Sequence, residues 1–286
     1  MIFDIMQQIK NCIPSMSKSH RRIAQFIIEH PDVAAYLTAT KLGTEAGVSE
    51  STVVRFATEL GYKGYPELQK ALKNALKTNM TSVQRVNAAQ NIMSQDDVLE
   101  KVMTLDMEKI KLTLGEIDKD AFYSAVKMIS EAKKVYVIGV RSASMLASFL
   151  SYYLDIATEN VTLLNMTSSS EMFEKIMRIS KDDVLVGISF PRYSKRTKNA
   201  IEFAKRRGTK ILAITDSESS PIASVSDCAL LAKSDMVSFV DSLVAPLSII
   251  NALIVGVSLN KKEALSKNLS ELEKIWEEYE VYDKTN

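Results

Sequence analysis

The stretch Ala46-Gly-Val-Ser-Glu-Ser-Thr-Val-Val-Arg-Phe-Ala-Thr-Glu-Leu60 has the pattern of a tight turn that leads into a short helix. Gly47 suits the left-handed backbone that often ends a helix. Ser49 suits the first position of the next helix, where a hydroxyl can cap free backbone N–H groups. Val48 lies between them and can pack into the angle. The pattern predicts a helix-turn-helix over residues 40–62.

Within the second helix, predicted over 49–60, apolar and polar side chains fall on different faces. Val53, Phe56 and Leu60 recur at helical spacing and predict the buried face. The other face carries short polar groups and an arginine, which suit contacts to base edges and phosphates in a major groove. The predicted DNA-binding residues are Ser49, Ser51, Thr52, Arg55, Thr58 and Lys63. Judged from spacing alone, a three-helix bundle whose polar face is simply exposed to solvent is as good an interpretation as a DNA-binding domain.

The bulk composition is that of an ordinary globular chain, with 46% hydrophobic and 25% charged residues. Residues 1–77 carry ten Lys or Arg against seven Asp or Glu, and this net charge of +3 favours a polyanionic partner only slightly. Cys12 and Cys228 match no metal or redox spacing, so we expect reduced, buried thiols. No signal-peptide pattern is visible, and the apolar stretch 243–259 is shorter than the roughly 20 residues of a membrane span. We expect a soluble, cytoplasmic protein without a membrane partner.

Beyond residue 133 the chain alternates between short apolar runs and helical stretches. This alternation predicts βαβ units and a doubly wound α/β domain, in which helices cover both faces of a five-stranded parallel sheet. The predicted strands are 135–139, 161–164, 184–188, 210–215 and 228–231.

The predicted organisation is therefore an all-α helix-turn-helix domain over 1–77, a polar linker over 78–96 and an α/β domain over 97–286. The stretch 98–129 is helical in pattern. Two helices, 241–259 and 261–282, should close the α/β domain, with Trp276 packed against its body.

The segment Gly47-Val-Ser-Glu-Ser-Thr-Val-Val-Arg-Phe-Ala-Thr-Glu-Leu-Gly-Tyr-Lys-Gly-Tyr-Pro-Glu-Leu68 resembles the N-terminal signature of the MurR/RpiR family of bacterial transcriptional regulators. That family joins this domain to a sugar isomerase (SIS) domain, which the α/β region also resembles. The resemblance covers nearly the whole chain and implies a transcriptional regulator. Gly43 departs from the alanine usual in the family, which should cost the helix about 0.5–1 kcal/mol.

In an open parallel sheet, ligands bind beyond the carboxyl ends of the strands. The corresponding loops here are rich in hydroxyls, and most of them open a helix, where free N–H groups bind phosphate well. Ser and Thr are also ordinary helix caps, which is the alternative interpretation of each one. The predicted effector-binding residues are Arg141, Ser142, Ser144, Ser168, Ser169, Ser189, Arg192, Ser194, Thr197 and Ser242.

SIS domains typically bind phosphosugars through such loops, but two loops here depart from the usual patterns. Gly-x-Gly-x-Ser is replaced by Gly139-Val-Arg-Ser-Ala143, and Ser-x-Ser-Gly-x-Thr by Ser189-Phe-Pro-Arg-Tyr-Ser-Lys-Arg-Thr197. The added Arg141 and Arg192 indicate either a more acidic effector or charge pairing with its phosphate. A salt bridge to a neighbouring subunit is the alternative.

The sequence thus predicts a DNA-binding transcriptional regulator that is controlled by a small anionic effector and acts on double-stranded operator DNA as a homodimer or homotetramer. A sugar-phosphate isomerase and a ligand-free oligomerisation module are the alternatives. Isomerases use a base and an acid, but both histidines, His20 and His30, precede the α/β domain, and Glu171 is the one well-placed carboxylate. We expect no catalytic residue, cofactor or metal.

Overall fold

The computed structural model describes residues 5–79, 83, 86, 97–158, 160–166, 168–234 and 240–283. These form two compact units, one made largely of residues 1–96 and the other made largely of residues 97–286. The predicted linker, 78–96, lies almost wholly outside the described residues.

The described part of the N-terminal unit is helical. Between residues 5 and 79 it contains a short 3-10 helix, Ile13–Ser15, and the α-helices α1 (Ile5–Cys12), α2 (Lys18–Glu29), α3 (Pro31–Ala34), α4 (Ala39–Ala46), α5 (Glu50–Glu59) and α6 (Tyr65–Asn79). The sequence patterns did not predict α1, which contributes two fully buried side chains, Ile5 and Ile9, to the core. Cys12 ends this helix half-buried rather than buried, so that part of the thiol prediction was wrong, whereas Cys228 is buried.

Hydrogen bonds to buried polar groups fix the helices of this unit against one another. The Tyr65 hydroxyl donates to the carbonyl of Leu37 at 2.8 Å, and burial raises the pKa of Tyr65 to about 12. His20 Nδ1 lies 2.5 Å from a carboxylate oxygen of Glu59, and its ring packs edge-on against Phe56. The two contacts of His20 join α2 to the C-terminal half of α5.

The second unit is built on a five-stranded sheet in the order β2-β1-β3-β4-β5, with every pair parallel. The strands are β1 (Val135–Gly139), β2 (Val161–Leu163), β3 (Val184–Ile188), β4 (Lys210–Thr215) and β5 (Cys228–Leu231). The predicted fold class is confirmed, and four of the five predicted strands have the observed bounds. β1 and β3 are buried along their whole lengths because helices cover both faces of the sheet.

The helices of this unit are α7 (Val98–Glu116), α8 (Lys119–Glu131), α9 (Ala143–Thr158), α10 (Ser169–Ile176), α11 (Lys195–Arg206), α12 (Val244–Asn260) and α13 (Lys262–Glu278). One apolar layer of the core packs α8, α9 and α12 on the sheet, and a second packs α10 and α11 on its other face.

The stretch 98–129, predicted to be helical, holds two helices, because Asp118 accepts from the backbone N–H groups of Asp120 and Ala121 and so starts a second one. Trp276 is half-buried in α13, and its ring packs edge-on against that of Tyr282.

Candidate DNA-binding and effector sites

The turn between α4 and α5 has the predicted geometry. Gly47 is left-handed at φ 65°, and the Val48 N–H donates to the Gly43 carbonyl at 2.8 Å. A Cβ on Gly43 would lie 2.8 Å from the Val48 carbonyl oxygen, so glycine allows the turn to approach α4 closely. Gly43 therefore has a physical role here, although the family usually has alanine at this position.

Ser49 occupies the cap position of α5, but its hydroxyl does not cap the backbone. It lies 3.0 Å from the Ser51 hydroxyl and 2.8 Å from that of Thr52. The capping role predicted for Ser49 was therefore wrong. The three hydroxyls instead form a cluster at the start of α5.

The outward face of α5 carries most of the predicted DNA contacts. Ser51, Arg55 and Thr58 are exposed there, whereas Val53 and Phe56 are buried beneath. Arg55 Nε donates to the Ser51 carbonyl at 3.3 Å. Lys63 is exposed in the turn after α5. The helix thus presents hydroxyls and one guanidinium on a face that takes no part in the core.

Effector loops converge at the carboxyl edge of the sheet. Gly139, which ends β1, is in register with Ile188, which ends β3, so the loops that follow start side by side, about 5 Å apart. β2 pairs with β1 on its other side. The strand order changes direction around β1, and such a switch point opens a crevice between the loops.

Arg141 and Arg192 both adopt left-handed backbone, at φ 61° and 66°. This conformation is uncommon for a residue with a side chain and costs of order 1–3 kcal/mol when the surroundings enforce it. Among the described residues only one other non-glycine, Glu280 near the C-terminus, has positive φ. Arg141 stands where the family usually has the second glycine of the first loop, and Arg192 lies in the lengthened loop after β3. Strained backbone of this kind is typical of ligand-binding loops.

A network of hydrogen bonds holds the loop after β3. The Ser189 hydroxyl accepts from the Ser194 N–H at 3.1 Å, and the Ser194 hydroxyl caps α11 by accepting from the Thr197 N–H. From β4, the Thr215 hydroxyl donates to the Ser189 carbonyl at 2.7 Å. Thr197 is fully buried, and its hydroxyl has no hydrogen-bond partner within the described chain.

Tyr193 and Asp216 brace the same loop, and the sequence did not single out this pair as a site. The Tyr193 hydroxyl donates to Asp216 at 2.8 Å. Burial, followed by the negative charge of Asp216, raises the pKa of Tyr193 well above its usual value, so the phenol stays protonated and donating. No local sequence signal could have found this contact, because the two residues come from different strands' loops.

The loops after β1 and β2 supply further hydroxyls. Ser168 caps α10 by accepting from the Glu171 N–H, and Ser169 is exposed in its first turn. Ser144 donates to the Arg141 carbonyl within its own turn, whereas Ser142 is exposed.

Arg196, in the first turn of α11, donates to the Met166 carbonyl at 2.8 Å and so ties the loop after β2 to the loop after β3. The sequence reasoning did not single out this link.

Ser242 is placed differently from the other predicted effector residues. It follows β5, at the edge of the sheet, and its hydroxyl donates to Asp106 of α7 at 2.6 Å. The structure therefore does not bring Ser242 into the group formed by the loops of β1, β2 and β3.

Among the described residues, no group of three or more His, Cys, Asp or Glu side chains has a geometry that could hold a metal ion. No single helix there is long and apolar enough to cross a membrane; α12 and α13 reach that length only as a pair, across a bend of 100°.

Comparison with known proteins gives each unit a family. Residues 3–79 match the helix-turn-helix domain of the rpiR family, and residues 128–256 match the SIS domain. The fold and its two sites thus define a DNA-binding transcriptional regulator with a SIS domain. The chain belongs to the RpiR family.

Relatives along the full length carry corresponding names. The chain is 26% identical over 291 residues to the HTH-type transcriptional regulator HexR of Escherichia coli, covering 96% of this chain and 95% of HexR. An HTH-type transcriptional regulator of Caldanaerobacter subterraneus is 24% identical over 265 residues, with 90% and 92% covered.

Two solved structures share the fold. The sugar isomerase domain of an RpiR transcription factor from Sphaerobacter thermophilus aligns with a TM-score of 0.60 and 28% identity, covering 62% of this chain and 99% of that one. The Vibrio vulnificus NanR protein, complexed with ManNAc-6P, aligns with a TM-score of 0.58 and 20% identity, covering 98% and 99%.

Proposed function

We propose that this regulator binds a phosphosugar at the loops after β1, β2 and β3, and that binding changes its affinity for operator DNA. The observation that carries the proposal is the convergence of three helix N-termini, those of α9, α10 and α11, at one edge of the sheet. Free N–H groups and the helix dipole favour a phosphate at such a place.

The side chains at this edge favour the same ligand. The hydroxyls of Ser142, Ser169 and Thr197 can bond to phosphate and sugar oxygens, and Arg141 and Arg192 add two positive charges. The two arginines suit either charge pairing with the phosphate of the sugar or an effector that carries additional negative charge. The NanR structure, of similar fold, is a complex with ManNAc-6P, a phosphorylated amino sugar.

Isomerase activity is the second candidate, and the distribution of acid and base groups disfavours it. Both histidines lie in the N-terminal unit, where His20 is paired with Glu59. Glu171 is exposed in the first turn of α10, where a carboxylate also stabilises the helix dipole. The full-length relatives above are named as transcriptional regulators rather than enzymes.

Replacing Thr197 with valine tests the site. Valine keeps the shape of the side chain and removes a buried hydroxyl that has no partner within the described chain, so the melting temperature of the free protein should stay unchanged or rise. Affinity for the effector should fall by roughly 5- to 30-fold, about 1–2 kcal/mol for a lost hydrogen bond to an anion. Thermal shift of the full chain with a panel of phosphosugars, amino-sugar phosphates and phosphorylated sugar acids measures both quantities.

Ser151→Ala is the matched control. Ser151 is also buried with an unpartnered hydroxyl, but it lies in the middle of α9, away from the loops. The melting temperature of Ser151→Ala should also stay unchanged or rise, whereas its affinity for the effector should equal that of wild type. If wild type and Thr197→Val bound the effector with equal affinity, the effector site would not include Thr197, and the proposed location would be wrong.

Coupling between the two units requires that the effector bind one DNA-affinity state better than the other. We expect a homodimer or homotetramer that presents paired helix-turn-helix units to a two-fold-symmetric operator. The same phosphosugars should shift the mobility-shift midpoint of an operator duplex. Binding without any such shift would contradict regulation by this ligand.

A further inference from the structure

α7 turns polar side chains toward its own domain and apolar ones toward solvent. Lys109 and Thr113, on the face against the domain, are only 6% and 5% exposed. On the neighbouring face, Met107 is 63% and Leu114 72% exposed. A surface helix normally does the reverse. The apolar stripe consists of Leu99, Met103, Met107, Ile110 and Leu114.

Specific hydrogen bonds fix this orientation of α7. Asp106 accepts from the Ser242 hydroxyl at 2.6 Å and lies 3.6 Å from the Lys109 ammonium. The Thr113 hydroxyl accepts from the Lys233 N–H at 3.0 Å. Rotating the helix to bury the stripe would break the hydrogen bonds that Asp106 and Thr113 make to the rest of the domain and leave buried polar groups unpaired, which is costly. The stripe therefore stays outward.

The stripe borders an apolar cleft of about 330 Å³ between α7, α8 and α12. Its walls are mostly aliphatic and aromatic and include Ile110, Leu114, Ile117, Phe122, Ala245 and Ile249. From Leu99 to Leu114 the stripe covers 16 residues, about 22 Å along the helix axis. A continuous apolar surface of this length is unusual on a monomer and marks an interface.

We propose that this surface is covered by α7 of a second copy of the chain, packed antiparallel about a two-fold axis that passes beside Met107. The stripe repeats at spacings of four and three residues, as helices that pack side by side require. A two-fold contact places each residue against its counterpart, so one self-complementary stripe is sufficient.

The charges beside the stripe favour the antiparallel arrangement. One flank of the stripe faces the domain, and the other, the open flank, faces solvent. The open flank carries two exposed charged residues, Glu100 and Lys111, each of which directly follows a residue of the stripe in the sequence. Open flanks face each other only when the two helices run in opposite directions. With the axis at Met107, Lys111 of one copy then lies within about 5 Å, along the helix axis, of Glu100 of the other. Two such opposite-charge pairs form across the axis.

Cross-linking tests the position of the axis. Met107→Cys in the full chain should form a disulfide-linked dimer under mild oxidation, because residues beside a two-fold axis meet their own counterparts. The matched control is Met177→Cys, an equally exposed methionine at the end of α10. It should cross-link no more than wild type, whose Cys228 is buried and Cys12 half-buried. Equal cross-linking of both variants, or none at Met107, would overturn the proposal.

Charge reversal tests the direction of the helices. Lys111→Glu should weaken the dimer several-fold in sedimentation equilibrium, and adding Glu100→Lys should restore it. Met107→Glu should weaken it by at least about tenfold, because two carboxylates would meet at the axis. Dimer affinity unchanged by Met107→Glu, in a variant whose circular dichroism is native, would show that another surface or partner covers the stripe. Effector binding plays no part in these measurements, so they can fail independently of the proposed function.

Discussion

Replacing Arg55 with alanine should reduce operator affinity by roughly 5- to 150-fold for each DNA-binding head, the equivalent of about 1–3 kcal/mol for an arginine that contacts a base. Arg55 is the sole cation on the outward face of α5 (residues 50–59) and is exposed there. In a two-headed regulator the losses combine, and specific binding should disappear into the non-specific background. The measurement is a mobility shift on the duplex that the wild-type chain enriches from a random-sequence library.

The stability of the Arg55→Ala variant should be close to that of wild type, because within the described chain the side chain makes one hydrogen bond, of 3.3 Å, to the Ser51 carbonyl in its own helix. Lys10→Ala removes the same charge from the exposed surface of α1 and serves as the control. It should lower affinity slightly, and equally for specific and random DNA, because it changes just the long-range field. Equal losses in the two variants would mean that α5 is not the recognition helix.

Replacing Gly139 with alanine should destabilise the SIS domain more than any other small substitution considered above. The added Cβ would lie 2.3 Å from the carbonyl oxygen of Ala143 and 2.8 Å from its carbonyl carbon. Both atoms belong to the backbone of the first turn of α9, and β1 is paired on both sides, so neither neighbour can move freely. We expect a loss of roughly 1–3 kcal/mol or more, as for other overpacked sites.

In thermal denaturation this corresponds to a melting temperature lower by about 2–4 °C per kcal/mol for a domain of this size. Gly115→Ala is the contrasting control, because no heavy atom lies within 4 Å of the added Cβ on the exposed side of α7. That variant should gain about 0.5–1 kcal/mol from helix propensity. A Gly139→Ala protein as stable as Gly115→Ala would contradict the tight contact between β1 and α9.

The strands were predictable because buried parallel strands are continuous apolar runs bounded by polar loops, and 135–139 and 184–188 are runs of this kind. The helix-turn-helix was predictable because Gly47 is needed for a left-handed turn. α1 was not predicted because a helix of eight residues with two buried isoleucines is too short for its helical periodicity to be recognised. The break at Asp118 escaped because one capping aspartate interrupts an otherwise continuous helical pattern.

The candidate effector site was only partly predictable. Loops at the carboxyl ends of parallel strands must share one edge, so the sequence could gather Ser168, Ser189 and Ser194 there. It placed Ser242 in the same group, although that hydroxyl is bonded to Asp106 beside the edge strand β5. Strand order decides which loops are neighbours, and strand order depends on long-range packing that local pattern does not encode.

The sequence by itself determined the elements of this protein: the turn at Gly47, the apolar runs of the sheet, and the presence of Arg141 and Arg192 in two of the loops. Local backbone preference and hydrophobic period are short-range properties, so they can be inferred from neighbouring residues. The tertiary structure alone decided that both arginines keep left-handed backbone, that Thr197 is buried without a described partner, and that α7 directs its apolar stripe outward. Each of these results from contacts between residues far apart in the chain, where packing and hydrogen bonding override local preference.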